Sequence, residues 1–298
     1  LFTVFPSNKS IIMALKEGTR SLFGSDLEFL ESVLKWVDSK IKKNFYSLIQ
    51  GEPIQENEMR KTHDTLQILI NFLVELDVME VFLKLYLSRS FFRRVILMDS
   101  DYLKFSDNPL CIEHYISTVL LAKKTGVSSA PQLSDLTMDV EKSKHLWETF
   151  RATSTGKVEL VPLLFQKSNV PDSFQQTALD IPSLPQQLSD VWNEFLNHYN
   201  SLDPNSKKKT IMPQYTLHHL EVGTEFKLSE NQYLILEVNL LQSCILELFN
   251  DADTLSFSEI KLALQVDGFH LSQALRSFSE IGLLHGQNGI YKLNTEYI

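Results

Sequence analysis

Apolar residues in the first half of the chain recur at steps of three and four residues. Three stripes show this spacing: Leu27, Leu30, Leu34, Val37 and Ile41; Leu66, Ile68, Leu69, Phe72, Leu73 and Leu76; and Val78, Phe82, Leu85 and Tyr86. Such spacing places one apolar face along an amphipathic helix. Further helices are predicted over residues 110–126 and 132–152, with Pro131 near the first turn of the second. Helices of this kind bury their apolar faces against each other, so residues 1–152 are predicted to form a four-helix-type bundle.

The pattern changes at Ser154-Thr155-Gly156, where a turn signal precedes the apolar run Val158–Phe165, which is typical of a strand. A helix is then predicted from Pro185 to about Tyr199. Strands follow over Tyr215–Val222 and Gly223–Leu228, joined by a tight turn, and a further strand over Asn231–Val238. Residues 153–238 are therefore predicted to form a small α/β subdomain.

Residues 239–298 are predicted to form a winged helix, with three helices followed by a hairpin. Ser256 and Glu259 have the spacing of a capping box at the start of the second helix. Asn288-Gly289 is typical of a type I′ hairpin turn between two short strands. The whole chain is therefore predicted to be α+β and mostly α, with a helical bundle, a small α/β subdomain and a winged-helix domain.

Composition and charge describe an ordinary globular chain with no general affinity for nucleic acid. Of its 298 residues, 43% are hydrophobic and 22% charged, and the net charge of −9 disfavours binding to phosphate backbones. Two cysteines cannot form a disulfide framework, which favours a reducing intracellular compartment, the nucleus and/or the cytoplasm. No apolar run approaches the length of a membrane span, and we expect the chain to be a fragment because it begins at Leu1.

The sequence predicts no catalytic residue, metal site or cofactor in this chain. Only His218 and His219 are adjacent among eight histidines, and neighbouring residues of a strand point to opposite faces of the sheet. There is no Walker A loop, GxSxG, HExxH or CxxC motif. Cys111 and Cys244 lie in apolar helical contexts, which favours core positions over nucleophiles.

Five short motifs occur in the order found in the C-terminal region of cullins. They are the segments Leu76–Phe82 and Leu87–Phe92; the set Leu133, Leu136, Asp139, Val140, Ser143, Leu146 and Phe150; the set Leu184, Pro185, Leu188, Phe195 and Tyr199; and the set Gln242, Ile245, Leu246, Leu248, Phe249 and Asn250. Over nearly all its length the chain therefore resembles a cullin C-terminal domain. Ser90, Met79 and the sequence Lys207-Lys208-Lys209 depart from the family pattern. These departures suggest a divergent cullin, such as a fungal one that serves replication stress or DNA repair.

The resemblance implies a non-catalytic scaffold of a cullin–RING E3 ubiquitin ligase. In that family a small zinc-binding RING protein recruits a ubiquitin-charged E2, and the E2 transfers the ubiquitin. Zinc is accordingly expected only in the RING partner. A substrate adaptor would bind through an N-terminal region, and the modified lysine of the family belongs to a second winged helix; neither part is present here.

The resemblance also implies that the RING partner adds a β-strand to the α/β subdomain. The residues expected to receive that strand share an apolar character and lie in predicted strands: Val158, Leu160, Val161, Leu163, Phe165, Leu217, Leu220 and Val222. The alternative is that both segments are internal strands of a small sheet. Pro162 lacks an N–H, so it must direct its missing donor away from the ladder or begin a second strand segment.

A local group of basic residues is a second candidate site on this acidic chain. It consists of Arg89, Arg93, Arg94, Lys123 and Lys124, which would attract an acidic segment of an E2 if their side chains converge. The alternative is that they are scattered over solvated helix ends.

The rival interpretation is a DNA-binding, transcription-type winged-helix protein, and a third is an unrecognised enzyme. Residues 236–298 carry three basic and eight acidic residues, a net charge of −5. A surface that faces phosphates is expected to be basic, so this charge favours protein contacts.

Overall fold

The structure is a computed structural model that describes residues 9–23, 26–49, 56–96, 111–122, 126–154, 156, 158–175, 181, 183–202, 210–229 and 232–297. These residues are mostly α-helical with small antiparallel sheets, which confirms the α+β class predicted from the sequence. The chain divides into two compact units. The helical unit comprises residues 1–145 and 161–174, and the C-terminal unit comprises residues 146–160 and 175–298.

The helical unit contains most of the long helices. Its elements are α1 (Lys9–Phe23), α2 (Leu27–Ile49), α3 (Glu56–Glu75), α4 (Met79–Tyr86), a π-helical turn (Leu87–Phe91), α5 (Phe92–Ile96), α6 (Cys111–Ala122), the first part of α7 (Ser129–Thr153) and the short α8 (Asp172–Gln175). Helix α4 packs against α2 and α3, and α3 packs against α6.

The apolar stripes predicted from the sequence form much of the core of this unit. Leu30, Leu34, Val37 and Ile41 are buried on α2, and Leu66, Leu73 and Leu76 are buried on α3. Phe82 is 2% exposed, whereas Phe72 and Leu85 are half-buried. The inclusion of Ile68 in the stripe was wrong, because its side chain is 70% exposed. Two residues from Leu66, it lies on the opposite side of the helix, and Ile70 takes the inward position.

The π-helical turn between α4 and α5 adds polar contacts to an apolar core. Within it, the Ser90 hydroxyl donates a hydrogen bond of 2.5 Å to Asp38 on α2. Single π-helical turns are rare insertions in α-helices and are frequent at functional sites. Here the turn lies between the helix that carries Phe82 and the helix that carries Arg94.

Two helix ends in this unit are stabilised in different ways, one locally and one by a distant residue. Helix α3 ends at Glu75 and is followed by Asp77, whose φ of 62° lies in the left-handed region, and the Val78 N–H bonds to the Leu73 carbonyl. Helix α7 begins against Glu80, which accepts hydrogen bonds of 2.7 Å from the hydroxyls of Ser128 and Ser129. Burial opposes ionisation of Glu80, but these bonds outweigh it and lower its pKa to about 2.

The C-terminal unit combines helices with two small sheets. Its elements are the end of α7, α9 (Gln186–Leu202), a 3₁₀ turn (Tyr215–Leu217), β1 (His219–Ser229), β2 (Gln232–Asn239), α10 (Leu240–Leu248), β3 (Thr254–Ser256), α11 (Phe257–Leu264), α12 (Gly268–Glu280), β4 (Leu284–Gln287) and β5 (Ile290–Leu293). The predicted helix after Pro185 is confirmed as α9, and its Phe195 meets Phe150 of α7 edge to face at 5.5 Å.

The prediction for the strands around Gly223 was wrong in two respects. Tyr215–Leu217 form a 3₁₀ turn rather than a strand, and Gly223 lies inside the continuous strand β1 instead of at a turn. Strands β1 and β2 are antiparallel, and the register shifts between Gly223 and Lys227. A glycine in a strand often marks such an irregularity, because it supplies no side chain to pack and tolerates unusual backbone angles.

The last third of the unit follows its local sequence signals closely. Ser256 and Glu259 form the predicted capping box at the start of α11. Asn288 and Gly289 have φ angles of 51° and 76°, as a type I′ turn requires, and connect β4 to β5. The sequence did not reveal β3, which pairs with β5 and completes a three-stranded sheet in the order β3-β5-β4.

Candidate partner-docking site

The apolar segment (Val158–Phe165) is not a strand in this structure, contrary to the prediction. A strand requires a neighbour with which to exchange backbone hydrogen bonds, and no described residue pairs with this segment in a sheet. Most of its side chains are half-buried, and Pro162 is buried. Val158 and Leu160 belong to the C-terminal unit, and Val161, Leu163 and Phe165 belong to the helical unit.

Helix α7 supplies hydrogen-bond partners to the end of the apolar segment. The Leu164 N–H donates to Ser143 Oγ at 2.9 Å, and the Gln166 N–H donates to Asp139 Oδ2 at 3.1 Å. Both helix residues are buried. They therefore satisfy backbone donors that a buried segment could not leave unpaired without a cost in free energy.

A turn after the segment is held by the same helix. Asn169 Nδ2 donates to Asp139 Oδ2 at 3.1 Å, and Gln132 Nε2 donates to the Asn169 carbonyl at 2.9 Å. Asn169 is itself buried. The Phe165 ring packs on Phe92 of α5 with ring centroids 5.1 Å apart. The end of the apolar segment is thus held by both polar and apolar contacts.

The other predicted docking residues are Leu217, Leu220 and Val222, and the last two pack against the core of the C-terminal unit. Leu217 lies in the 3₁₀ turn and is half-buried. Leu220 and Val222 lie on the inward face of β1 and pack against the core of the C-terminal unit. The β1–β2 sheet has only two strands among the described residues, so one edge of β1 has no strand beside it there. Docking of a partner at these residues stays a prediction.

The candidate basic patch is dispersed over different environments. Arg89 is about half exposed and forms an ion pair with Glu31, and Arg93 is exposed. Lys123 and Lys124 lie outside the described residues. Binding of an E2 to this region stays a prediction.

Arg94 points into the helical unit rather than to solvent. Its side chain is 8% exposed and forms an ion pair with Glu113 of α6, whose side chain is fully buried. The Tyr86 hydroxyl donates to the same carboxylate at 2.5 Å. Burial, followed by the charge of Glu113, raises the pKa of Tyr86 well above its usual value. The sequence could not reveal this pair, because its two members lie on different helices.

The described residues show no site for metal or nucleophilic chemistry. No group of three or more His, Cys, Asp or Glu residues in the described ranges could hold a metal ion. Burial raises the pKa of the Cys244 thiol to about 12, which suppresses the thiolate form. Burial also lowers the pKa of His218, while His219 is exposed. The side chain of Cys111 lies outside the described set.

Within the part of the chain that the structure describes, no helix combines the length and apolar character needed to cross a membrane.

Sequence analysis did not assign a role to Asp139 or Ser143. A signal was present, because two polar residues four positions apart fall beside the apolar positions Leu136 and Val140 of the same helix. Polar residues at core positions need hydrogen-bond partners. The sequence alone does not show that these partners come from the apolar segment.

Comparison with known proteins found one matching family model and several similar sequences. The family model described as "Cullin alpha+beta domain" matches residues 165–296. The chain is 32% identical to Cullin-8 of Saccharomyces cerevisiae over 143 residues, which are 46% of this chain and 17% of that protein. It is 24% identical to human Cullin-4A over 283 residues, 92% of this chain and 33% of that protein. It is 22% identical to Cullin-3A of Arabidopsis thaliana over 290 residues, 97% of this chain and 36% of that protein.

The chain thus spans about a third or less of the length of these curated relatives. The similarity to Cullin-4A and Cullin-3A covers both units. The family match begins at Phe165, the last residue of the apolar segment, and extends through the C-terminal sheet.

Proposed function

We propose, from the family match over residues 165–296 and the similarity to several cullins, that this chain is part of a cullin and of the non-catalytic scaffold of a cullin–RING E3 ubiquitin ligase. Its role is to hold a small zinc-binding RING protein, which recruits a ubiquitin-charged E2. The E2 transfers the ubiquitin, and this chain positions the RING protein without taking part in the transfer.

The observation that carries the proposal is the apolar segment without a strand partner. Six of its eight residues, Val158, Leu160, Val161, Leu163, Leu164 and Phe165, are large and apolar, and no described strand pairs with them. Such a segment is suited to β-augmentation, in which an incoming strand supplies the missing backbone hydrogen bonds. Alternate side chains would then contribute specificity, as the sequence analysis predicted for Leu163 and Phe165.

The remaining parts of the complex follow from the same family. Zinc is proposed only in the RING partner. A substrate adaptor is proposed to bind through an N-terminal region of the full-length protein, and the complex to act in the nucleus and/or the cytoplasm. A function in DNA repair is a narrower proposal that is supported only by the departures from the family pattern.

Affinity purification of the chain tests the proposal. A tagged copy, expressed in a eukaryotic host, should co-purify with a small RING protein that mass spectrometry identifies and that contains zinc. The purified pair should stimulate ubiquitin discharge from an E2, whereas the chain alone should not. If no RING protein is recovered, the scaffold proposal is wrong.

The cysteines provide a control for the non-catalytic role. The double variant Cys111→Ser and Cys244→Ser should keep near-normal turnover in the reconstituted ligase, because the buried Cys244 thiol is protonated at neutral pH. A variant that binds the RING protein normally is folded well enough for this comparison. A trapped ubiquitin thioester on either cysteine would contradict a scaffold role.

The rival DNA-binding function is disfavoured by the acidic charge of residues 236–298. The same purification distinguishes the two functions, because a DNA-binding protein would carry nucleic acid, seen as absorbance at 260 nm that nuclease treatment removes.

Electrostatic attraction of an E2 by Arg89 and Arg93 is a secondary proposal. Arg94 is unsuitable for its test, because a charge reversal there would place a carboxylate beside buried Glu113. Reversal of Arg89 and Arg93 to Glu should instead slow E2 association at low salt, and the effect should fade as salt is added. Equal E2 association rates for the wild type and the double reversal at low salt would exclude this role for Arg89 and Arg93.

A further inference from the structure

We propose that Asp139 and Ser143 are positioning residues that determine which edge of the apolar segment receives the partner strand. The inference depends on the proposed function, because it concerns the same docking site. The two residues bind the edge formed by Leu164 and Gln166, and the docking edge is therefore formed by Val161, Leu163 and Phe165.

The spacing of the two hydrogen bonds shows how the backbone runs along α7. Ser143 and Asp139 are four residues apart on the helix, a rise of about 6 Å. Their partners, Leu164 and Gln166, are two residues apart, and two residues of extended chain advance about 6.7 Å. The two advances match, which indicates an extended backbone, and the opposite order of the residue numbers means that this backbone runs antiparallel to the helix.

In an extended backbone, consecutive residues direct their N–H and C=O groups to opposite edges. The even-numbered residues Leu164 and Gln166 direct their N–H groups towards α7. The neighbouring odd-numbered residues Leu163 and Phe165 must then direct their N–H groups to the other edge. No hydrogen bond among the described residues uses the N–H of Leu163 or Phe165. This second edge has the donors and acceptors that an incoming strand requires.

The position of Pro162 agrees with this assignment. Pro162 is even-numbered, so its missing N–H falls on the edge that faces α7. A proline on the docking edge would have interrupted the hydrogen-bond ladder. On the α7 edge it removes a donor that would otherwise need a partner, and it leaves Val161 and Leu163 able to bond with a partner strand.

The Asp139 and Ser143 side chains are both positioned to accept these hydrogen bonds. Ser143 Oγ donates its hydrogen to the Asp139 carbonyl at 2.8 Å, so its lone pairs are directed to the Leu164 N–H. Asp139 Oδ2 accepts from both Gln166 and Asn169. Loss of either acceptor leaves a partly buried N–H without its bond to α7 and frees the backbone to rotate, so the docking edge is no longer held in one direction.

Amide hydrogen exchange of the free chain, measured by NMR, tests the edge assignment without a partner. The amides of Leu164 and Gln166 should exchange more slowly than those of Leu163 and Phe165 by at least about tenfold. Ser143→Ala should accelerate exchange at Leu164. Ser117→Ala is the matched control, because Ser117 is equally buried and bonds within its own helix α6. Equal exchange at odd and even positions would overturn the assignment.

Affinity for the RING protein recovered by the purification above tests the positioning role. Ser143→Ala should weaken binding about tenfold, since loss of the hydrogen bond to the partly buried Leu164 N–H has a cost of that order. Ser143→Thr, which keeps the hydroxyl, should recover part of the loss, and Ser117→Ala should bind like the wild type. Asp139→Asn should also weaken binding, whereas Asp135→Asn on the same helix should not.

A proline substitution tests the docking edge itself. Leu163→Pro removes the N–H that the partner strand is proposed to use, and it should weaken RING binding by at least about tenfold more than Leu163→Ala. The alanine variant loses the same side chain but keeps the N–H, so the difference between the two reports the backbone bond.

The outcomes separate the two proposals. If the wild-type chain binds no RING protein, the proposed function and the docking role fail together, whatever the exchange data show. If the wild type binds and Ser143→Ala and Asp139→Asn bind equally well, the positioning role alone is overturned. If Leu163→Pro binds as well as Leu163→Ala, the partner strand does not use this edge.

Discussion

The helical unit and the C-terminal region (residues 239–293) begin their helices in different ways. In the C-terminal region, Asn239, Ser256 and Asp267 each cap the helix that follows with their own side chains. In the helical unit, α2 has a local cap, because Asp26 accepts from the Phe29 N–H. By contrast, α4 follows Val78 with no side-chain cap, and α7 is capped by Glu80, 49 residues before Ser129. Local caps therefore define the three helix starts of the C-terminal region, whereas the start of α7 depends on a tertiary contact.

A related difference is the sequence separation of several polar contacts. The polar contacts of the C-terminal region include short-range bonds such as Ser256 with Glu259. In the helical unit, Glu113 bonds to Tyr86 and Arg94, and Asp139 bonds to Gln166. Removal of a local cap should therefore affect one helix end, whereas removal of a long-range contact should affect the stability of the whole unit.

Truncation of Phe82 should have the largest effect on the helical unit. Phe82 is 2% exposed, and Phe82→Ala should lower the free energy of unfolding by about 4 kcal/mol through lost burial and the cavity left behind. Urea denaturation monitored by circular dichroism measures the loss. Val81→Ala, at an exposed neighbouring position, should cost less than about 0.5 kcal/mol. Similar losses for both variants would contradict the packing described for α4.

Glu113→Gln should have the next largest effect, about 3 kcal/mol, because it removes the buried carboxylate that pairs with the Arg94 cation. Denaturant titration at neutral pH is the measurement. Glu31→Gln is the control, since it breaks the solvent-exposed pair with Arg89 and should cost less than about 1 kcal/mol. If the two variants lose equal stability, the buried Arg94–Glu113 pair contributes no more to the free energy of folding than the exposed Arg89–Glu31 pair does.

Glu80→Gln should lower the stability of the helical unit by about 1 to 2 kcal/mol at pH 7, because the charge-assisted bonds to Ser128 and Ser129 are weakened. The folded-state pKa of about 2 lies below the ordinary value of 4.5. The contribution of Glu80 is thus complete above about pH 4.5 and is lost as the pH falls towards 2. Unfolding measured from pH 7 to pH 3 should show the two proteins converging. A difference in unfolding free energy that stays constant from pH 7 to pH 3 would exclude the ionised Glu80 carboxylate as its source.

Ser256→Ala should have the smallest effect, about 1 kcal/mol, because it removes one local cap. Amide exchange should accelerate in the first turn of α11 and remain unchanged in the helical unit. Ser258→Ala, exposed within that turn, should cost less than about 0.5 kcal/mol. An effect of Ser256→Ala that spreads to the helical unit would remove the distinction between local and long-range helix ends.

The sequence predicted those elements whose signals lie within a few residues of one another. The stripe Leu30–Ile41, the capping box of Ser256 and the Asn288-Gly289 turn are all confirmed. Prediction was wrong where a partner was needed to define the element. Val158–Phe165 has the composition of a strand but no strand beside it, and Thr254–Ser256 is a strand because β5 lies beside it.

The same distinction applies to the candidate docking site. The sequence identified the apolar residues Val161, Leu163 and Phe165 and the constraint imposed by Pro162, because both depend on residue type alone. It did not identify Asp139 and Ser143 as their supports, since a helix and a segment more than twenty residues away are joined only by folding. It placed Arg94 among solvent-facing cations, since nothing in its neighbours indicates a buried carboxylate.

The sequence by itself determined the helical periodicity, the local caps, the hairpin turn and the family resemblance, because each depends on residue types at short, fixed spacings. The tertiary structure alone decided which polar side chains are buried and paired, where α7 begins, and which edge of the apolar segment bonds to α7. The physical reason is that a hydrogen bond or ion pair between distant residues depends on where the packed helices place them. Burial then makes the absence of a partner costly, so these few contacts fix the local backbone on which the proposed docking edge depends.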